Sequence, residues 1–245
     1  MGEEKKALRT AISVVITAYN EQECIAECVR EARDALRALE RPFEIIVVDD
    51  GSADETFSAL RSLKRVVPEL RILRFRRNCG QTAAMDAGFR KARGDAVAAL
   101  DADGQNDPSD LPAMLERLRD CDVVCGVRVN RADGYVRRLS SRVANAARNV
   151  LTGERITDTG CTLKVFRRAF LERVKLYDGM HRFLPTLLRM EGARVLETPV
   201  AHRPRLKGKS KYGVGNRLFR GLRDLMAVRW MKSRRLNYRI RDELP

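Results

Sequence analysis

Short apolar runs alternate with amphipathic segments through the first part of the chain. Ile12–Thr17 and Phe43–Val48 are β-branched runs of strand length, and Glu21–Leu39 between them carries apolar residues at helical spacing. The same alternation predicts helices over 54–63 and 81–92 and strands over 71–75 and 96–100. Because strands and helices take turns, we expect an α/β fold with a parallel, doubly wound sheet and helices on both of its faces.

The pattern changes after residue 101. Strands are predicted over 122–127 and 193–197, a helix over 137–151, and a last helix over 216–232. No linker and no internal repeat separates these segments. We therefore expect a disordered start over 1–10, one compact domain over 11–213, and a helical extension with a basic tail over 214–245.

The last predicted helix has an apolar stripe and many arginines. The stripe suits a helix that lies in a bilayer interface, and the alternative is a terminal helix that packs on its own domain. The stripe consists of Phe219, Leu222, Met226 and Trp230, with Arg217, Arg220 and Arg223 mostly off it.

The net charge of +15 is concentrated at one end of the chain. Residues 1–100 hold 17 basic and 16 acidic side chains, whereas residues 203–240 hold 13 basic side chains and one acid. Such a tract attracts polyanions, so an anionic membrane surface and phosphorylated substrates are candidate partners. A nucleic-acid-binding module would share this charge, but aromatic residues are only 6% of the chain and no recognition motif is present. We expect no nucleic acid partner.

Composition further restricts the class of protein and its expected location in the cell. A chain of 245 residues with 44% hydrophobic content can build a sizeable core. The six cysteines lie in apolar runs or beside glycine, so we interpret them as reduced and mostly buried, although a zinc site at Cys24/Cys28 and Cys121/Cys125 is conceivable. No run approaches the roughly 18 apolar residues of a spanning helix, and the N-terminus is polar. We expect a cytosolic protein unless a peripheral contact holds it to a membrane.

Paired carboxylates follow two of the predicted strands. Asp49 and Asp50 come directly after one apolar run, and Asp101 and Asp103 come after another. Ligands of a parallel sheet bind at such carboxyl ends. Asp101 and Asp103 can face one hard cation with the amide oxygen of Gln105 as a third ligand, and Mg²⁺ or Mn²⁺ there would bridge a diphosphate. The alternative is a plain turn around the Asp103-Gly104 pair.

Four motifs at strand ends, taken in order, resemble glycosyltransferase family 2 with its Rossmann-like GT-A fold, which is a mostly parallel sheet with helices on both faces. Three basic segments narrow the resemblance to the branch of dolichol-phosphate mannose synthases and undecaprenyl-phosphate glycosyltransferases, over Ile12–Gly213. The motifs are Thr17-Ala18-Tyr19-Asn20-Glu21, Asp49-Asp50-Gly51-Ser52, Asp101-Ala102-Asp103-Gly104-Gln105 and Asp158-Thr159-Gly160. The basic segments are Gly126-Val127-Arg128, Arg137–Arg142 and Arg205–Gly213.

The resemblance implies a role for each matching residue. The nucleoside pocket would be lined by Ala18, Tyr19, Glu21, Asp49, Asp50 and Asp101. Asp101, Asp103 and Gln105 would hold the metal, and the phosphates of donor or lipid would meet Arg128, Arg137, Ser141, Arg205 and Lys211. The catalytic residues would be Asp103, Arg128 and Asp158.

The reaction that the resemblance implies is inverting transfer of a sugar from a GDP- or UDP-sugar to dolichyl or undecaprenyl phosphate. A lipid phosphate is already anionic and needs no strong base, whereas a sugar hydroxyl, the alternative acceptor within the family, would need Asp158 as base. Asp158 can also be a simple turn cap. A dehydrogenase of similar fold is disfavoured, because the turn after the first strand has no glycine fingerprint.

The sequence departs from the family in two places. Many relatives carry membrane spans after the catalytic domain, so here we expect the last helix, a membrane-embedded partner subunit, or nothing to hold the protein on the cytoplasmic face of a membrane. Met226-Ala-Val-Arg229-Trp230 resembles a signature of processive synthases but has methionine in place of glutamine. We therefore expect no processivity.

Overall fold

The computed structural model describes residues 11–129, 149, 153, 154, 156–204 and 215–236. Its centre is a seven-stranded sheet in the order β3-β2-β1-β4-β6-β5-β7. The strands are β1 (Ile12–Ala18), β2 (Phe43–Asp49), β3 (Leu70–Arg74), β4 (Ala96–Asp101), β5 (Val123–Arg128), β6 (Lys164–Arg167) and β7 (Val195–Val200). The helices are α1 (Ile25–Arg37), α2 (Thr56–Lys64), α3 (Gln81–Lys91), α4 (Leu111–Arg117), α5 (Arg168–Leu171), α6 (Leu184–Met190) and α7 (Gly215–Ser233), with short 3-10 helices at Pro108–Asp110 and Met180–Phe183.

The first four strands form the predicted parallel half of the sheet. β1 pairs with β2 and β4, and β2 pairs with β3, all in parallel. Every residue of β1 is buried, as expected of a strand covered by helices on both faces. In this register Ala18 lies opposite Asp49, and Thr17 lies opposite Asp101. The carboxyl ends of β1, β2 and β4 therefore meet at one edge.

The second half of the sheet is mixed, so the sheet as a whole is mostly parallel, as expected. β6 inserts between β4 and β5 and runs antiparallel to both. β7 pairs in parallel with β5. The sequence pattern missed β6 because the strand has four residues, of which the first and the last are basic. The predicted helix over 137–151 lies outside the described residues, except that Asn149 is helical.

Helices cover both faces of the sheet, as predicted. On one face the core is built from α1, α2 and α4 against β1 and β2, with Ile25, Leu60 and Met114 fully buried or nearly so. On the other face α3 and α6 pack over residues such as Val15 and Phe166. The described cysteines are free thiols, and four of the six are buried. Among the described residues no group of three or more acidic, histidine or cysteine side chains is arranged to hold a metal, so the zinc hypothesis gains no support.

Helix α7 follows neither of its two sequence interpretations fully. Leu225 and Val228 are buried against a small cluster that includes Met180 and Phe183, so one face of the helix packs on the domain. The predicted stripe lies elsewhere: Leu222, Met226 and Trp230 are 53%, 54% and 64% exposed. The side chain of Phe219 lies outside the described part of the chain. No helix among the described residues is long and apolar enough to span a bilayer.

Candidate active site

Asp101 is the point where three parts of the fold converge. Its Oδ1 accepts a hydrogen bond from the Thr17 hydroxyl of β1 at 3.1 Å and one from the Gln81 amide of α3 at 2.7 Å. Its Oδ2 accepts a hydrogen bond from the Thr162 hydroxyl at 2.5 Å. Burial raises the pKa of Asp101, and these three hydrogen bonds oppose that effect. A carboxylate has about four lone-pair positions, so a cation at Asp101 would have to approach Oδ2.

Asp103 and Gln105 follow on a turn at the mouth of this edge. The Asp103 Oδ1 accepts a hydrogen bond from the Gln105 backbone N–H at 3.1 Å, and Gly104 between them has φ +72°. The Gln105 carbonyl accepts a hydrogen bond from the Arg203 N–H at 2.9 Å. Arg203 in turn forms an ion pair with Asp107 at 2.8 Å. The turn is therefore held by its internal hydrogen bond between Asp103 and Gln105 and by Arg203, which follows β7.

The oxygen ligands of this turn fit a magnesium-like ion. Asp103 and the side-chain amide of Gln105 offer hard oxygen atoms at the half-buried edge of the site. Mg²⁺ is commonly held by one or two carboxylates together with substrate phosphates and water, and oxygen atoms of this kind are what the turn offers. The metal assignment of Asp101, Asp103 and Gln105 stays a prediction.

The Asp49-Asp50-Gly51-Ser52 turn holds a neighbouring loop. Asp49 is fully buried, and its Oδ1 accepts a hydrogen bond from the Ser52 N–H at 2.9 Å. Asp50 accepts backbone hydrogen bonds from Cys79 at 2.7 Å and Gly80 at 2.9 Å. Burial is the main reason that the pKa of Asp50 is raised. The acids of this turn thus order the loop that starts α3.

Gly51 lets that loop approach the turn closely. Its φ is +70°, and a Cβ added there would lie 2.4 Å from the carbonyl carbon of Arg77. Asn78 adds a side-chain hydrogen bond to Asp50 at 2.9 Å. The sequence interpretation missed the loop 76–81 and the role of Gln81, because neither a basic loop nor a lone glutamine signals a contact with a strand-end acid.

Five of the six residues predicted to line the nucleoside pocket lie together at the ends of β1 and β2, and the sixth, Asp101, ends the neighbouring β4. Ala18 and Glu21 are buried, and Tyr19 is half-buried. The Glu21 N–H donates to the Thr56 hydroxyl at 2.9 Å, which ties this segment to the start of α2. With Asp49 and Asp50 alongside, the five residues surround one edge of the sheet, and their contact with a nucleoside stays a prediction.

Arg128 and Asp158 form a bidentate ion pair. The Arg128 Nε donates to Oδ2 of Asp158 at 2.8 Å, and one terminal guanidinium nitrogen donates to Oδ1 at 2.9 Å. The Gly160 N–H also donates to Oδ1 at 3.1 Å. Charge-assisted hydrogen bonds of this kind hold the carboxylate in place. Asp158 is therefore both a turn cap and the partner of a predicted phosphate ligand. The other predicted phosphate ligands, Arg137, Ser141, Arg205 and Lys211, lie outside the described residues.

A comparison with known protein families identifies the family of this chain. The profile described as Glycosyl transferase family 2 matches residues 13–175, which hold every strand-end acid described above. The chain belongs to this family. Its membership favours the glycosyltransferase interpretation over the dehydrogenase and the nucleic-acid-binding module.

Two kinds of relatives illustrate the family. A dodecaprenyl-phosphate galacturonate synthase of Rhizobium johnstonii is 40% identical over 223 residues, which cover 89% of this chain and 66% of that protein. An undecaprenyl-phosphate 4-deoxy-4-formamido-L-arabinose transferase of Pseudomonas paraeruginosa is 40% identical over 203 residues, which cover 82% and 60%. The chain thus spans somewhat under two thirds of the length of these curated relatives.

Solved structures share the fold at low identity. A mannosyltransferase of Pyrobaculum calidifontis in complex with GDP-Man and Mn²⁺ has a TM-score of 0.63 and 22% identity, covering 97% of this chain and 67% of that one. A glucosyl-3-phosphoglycerate synthase of Mycobacterium tuberculosis has a TM-score of 0.68 and 17% identity, covering 97% and 85%. The predicted GT-A fold is confirmed.

Proposed function

We propose that the protein transfers a sugar from a GDP- or UDP-sugar to a polyprenyl phosphate such as undecaprenyl or dolichyl phosphate. The observation that carries the proposal is the oxygen-ligand turn of Asp101, Asp103 and Gln105 at the carboxyl edge of a GT-A sheet. Relatives at 40% identity are polyprenyl-phosphate sugar transferases, and they suggest the acceptor class.

The donor is expected to lie across the ends of β1, β2 and β4. Ala18, Tyr19, Glu21 and Asp50 would surround the nucleoside, and Asp103 with Gln105 would hold Mg²⁺ or Mn²⁺ beside the diphosphate. A bound divalent cation there would neutralise the negative charge that develops on the departing diphosphate. The Asp101 carboxylate accepts hydrogen bonds from Thr17, Gln81 and Thr162. It is therefore held in a fixed position at this edge.

The chemical step is a direct displacement. A phosphate oxygen of the lipid attacks the anomeric carbon and forms the new carbon–oxygen bond, while the bond to the nucleoside diphosphate breaks and its electron pair leaves with that group. Attack opposite the leaving group inverts the configuration. A phosphate nucleophile is already ionised near neutral pH, so positioning and charge stabilisation supply most of the catalysis.

The ion pair of Arg128 and Asp158 favours a phosphate acceptor over a sugar hydroxyl. A hydroxyl acceptor needs a general base, and Asp158 would have to leave two guanidinium hydrogen bonds before it could take a proton. A phosphate acceptor needs cationic contacts instead. Arg128 would provide one of them, and Arg137, Ser141, Arg205 and Lys211 are the further phosphate ligands that the resemblance implies.

Helix α7 supports a peripheral position on the cytoplasmic face of a membrane. Its buried residues Leu225 and Val228 seat the helix on the domain, and Leu222, Met226 and Trp230 face away from that contact. The tract over 203–240 adds 13 basic side chains against one acid, which attracts anionic headgroups. A membrane-embedded partner subunit would be a second means of attachment.

A matched pair of acceptors tests the proposal. Purified protein is given a panel of GDP- and UDP-sugars together with Mn²⁺ and either a short polyprenyl phosphate or the polyprenol with the same tail. We expect release of the nucleoside diphosphate only with the phosphate. Equal release with a glycan or a free sugar in place of the lipid would support the hydroxyl acceptor, and no release with any acceptor would refute the proposal.

A further inference from the structure

A lysine is buried at the start of β6, directly under the candidate site. Lys164 is 3% exposed, and its ammonium donates a hydrogen bond to the carbonyl oxygen of Cys161. The register places it opposite Ala99 of β4 and Cys125 of β5, in the interior of the sheet. Among the described residues it forms no ion pair. Burial of an ammonium without a carboxylate partner is strongly unfavourable, so packing alone does not explain this residue.

The surroundings of the ammonium connect it with the site. Its charge acts on Asp101, Cys125, Cys161 and His181. Asp101 is the only acid among these four groups. Lys164 pairs with Ala99, two residues before Asp101 on β4, so the lysine side chain lies on the same face of the sheet as the Asp101 carboxylate.

The hydrogen bond to Cys161 falls in the middle of an irregular segment that carries two site contacts. At one end of this segment Asp158 holds the guanidinium of Arg128. At the other end Thr162 donates to Asp101 at 2.5 Å. No helix or strand orders residues 156–163. The Leu163 carbonyl accepts a hydrogen bond from the Gly126 N–H at 3.0 Å, and Glu197 accepts hydrogen bonds from Thr157 at 2.8 Å, so Lys164 acts on the part between these two contacts.

We propose that Lys164 is a positioning residue that anchors residues 158–162 to the start of β6, the strand that pairs with β4. Through the Cys161 carbonyl it keeps Thr162 on Asp101, and it keeps the pair of Arg128 and Asp158 at a fixed distance from that acid. It touches no reactant. For the reaction that it serves, the inference rests on the proposed sugar transfer, but the anchoring itself does not depend on that reaction.

The test compares Lys164→Met with a matched control, Lys64→Met. Lys64 is an exposed lysine on α2 whose ammonium also donates to a single backbone carbonyl, that of Pro68 at 2.9 Å. We expect Lys164→Met to lower kcat for transfer on the order of 100-fold, because small displacements of reacting groups have effects of that size. The KM for the nucleotide-sugar should change about twofold or less, and Lys64→Met should match wild type. An unchanged kcat in folded Lys164→Met would overturn the proposal.

Two further measurements separate positioning from general damage. Hydrogen exchange should quicken over residues 157–163 in Lys164→Met but not over residues 45–52, and uniform acceleration would indicate structural loss only. In a double-mutant cycle with Thr162→Val, the losses in kcat should be far from multiplicative, because both changes release the same segment. Lys164→Arg should recover at least about tenfold of the lost kcat, because it keeps the charge and a donor.

These readouts also separate this inference from the proposed function. If Lys164→Met fails to fold, Lys164→Gln, which removes the charge and shortens the side chain, takes its place in the cycle, and multiplicative losses again overturn the proposal. If the wild-type protein transfers no sugar, the proposed function fails, and hydrogen exchange in Lys164→Met or Lys164→Gln still decides the anchoring. Exchange over residues 157–163 that is unchanged in the folded variant would refute it.

Discussion

Acidification should destabilise the fold through His181. The ring is half-buried in the short 3-10 helix over α3, and its Nδ1 lies 2.6 Å from the hydroxyl oxygen of Thr82. That hydroxyl also accepts a hydrogen bond from the Gly179 N–H at 3.1 Å. Burial, followed by the positive charges of Arg182 and Lys164, lowers the pKa of His181 from 6.5 to about 3. The folded protein therefore keeps the imidazole neutral.

The size of the effect follows from proton linkage. The folded pKa lies below the unfolded one, so stability is fully present above the unfolded value and is lost as the pH falls below it. At about pH 5 the unfolded chain binds nearly one proton more at this site than the folded protein does, which amounts to about 2 kcal/mol relative to pH 7. Any pKa of folded His181 well below 5 gives nearly the same change in the free energy of unfolding. Between about pH 7 and 5 only the unfolded chain takes up the proton, so its pKa determines the change.

Urea unfolding at several pH values tests this, with His181→Asn as the control. Asparagine can still accept a hydrogen bond from Thr82 through its side-chain oxygen, but it does not titrate in this range. We expect the free energy of unfolding of the wild-type protein to fall by about 2 kcal/mol more than that of the variant between about pH 7 and 5. The described carboxylates with raised pKa, Asp50, Asp101 and Asp110, contribute equally to both proteins and cancel. Parallel curves would refute the argument.

Three more outcomes follow from the site and from α7. Asp103→Asn should lower turnover by about two to four orders of magnitude, since a major electrostatic contribution is lost, and excess EDTA should abolish wild-type activity; full activity in EDTA would contradict the metal assignment. Changing Arg137 or Arg205 should weaken use of the lipid phosphate more than binding of the nucleotide, and equal losses in the two affinities would place these residues on the donor diphosphate instead. Changing Leu222, Met226 and Trp230 to serine should abolish salt-sensitive co-sedimentation with anionic liposomes without lowering thermal stability, because these side chains are exposed; a wild-type protein that ignores such liposomes at low salt would remove the membrane role of α7.

Local patterns were enough to predict the parallel half of the fold. Apolar runs such as Ile12–Thr17 and Phe43–Val48 are long and continuous because both faces of these strands are covered, and their ends place the acids at one edge. β6 could not be predicted from the sequence, because four residues with basic ends give no periodic signal and the partner strand β4 lies far away along the chain.

The site was predictable as far as its acids and no further. Asp101 and Asp103 are visible as a pair after a strand, but the donors that fix Asp101 come from Gln81 and Thr162, which only the folded chain brings near. The same holds for α7: the sequence predicts one apolar stripe that includes Leu222, Met226 and Trp230, and only packing against Met180 and Phe183 decides that Leu225 and Val228 are buried instead. Tertiary contacts, which have no local signature in the sequence, determine which donors reach Asp101 and which face of α7 is buried.

The structure of the lipid product tests the central claim most directly. The protein is incubated with Mn²⁺, a short polyprenyl phosphate and a nucleotide-sugar labelled with ¹³C at the anomeric carbon, and the extracted lipid is analysed by NMR. We predict that the labelled carbon couples to phosphorus through one bridging oxygen, with inverted configuration and one sugar per lipid, and that the Asp103→Asn variant yields almost none of this product. A labelled carbon bonded to a hydroxyl oxygen of a glycan, with no coupling to phosphorus, would contradict the account.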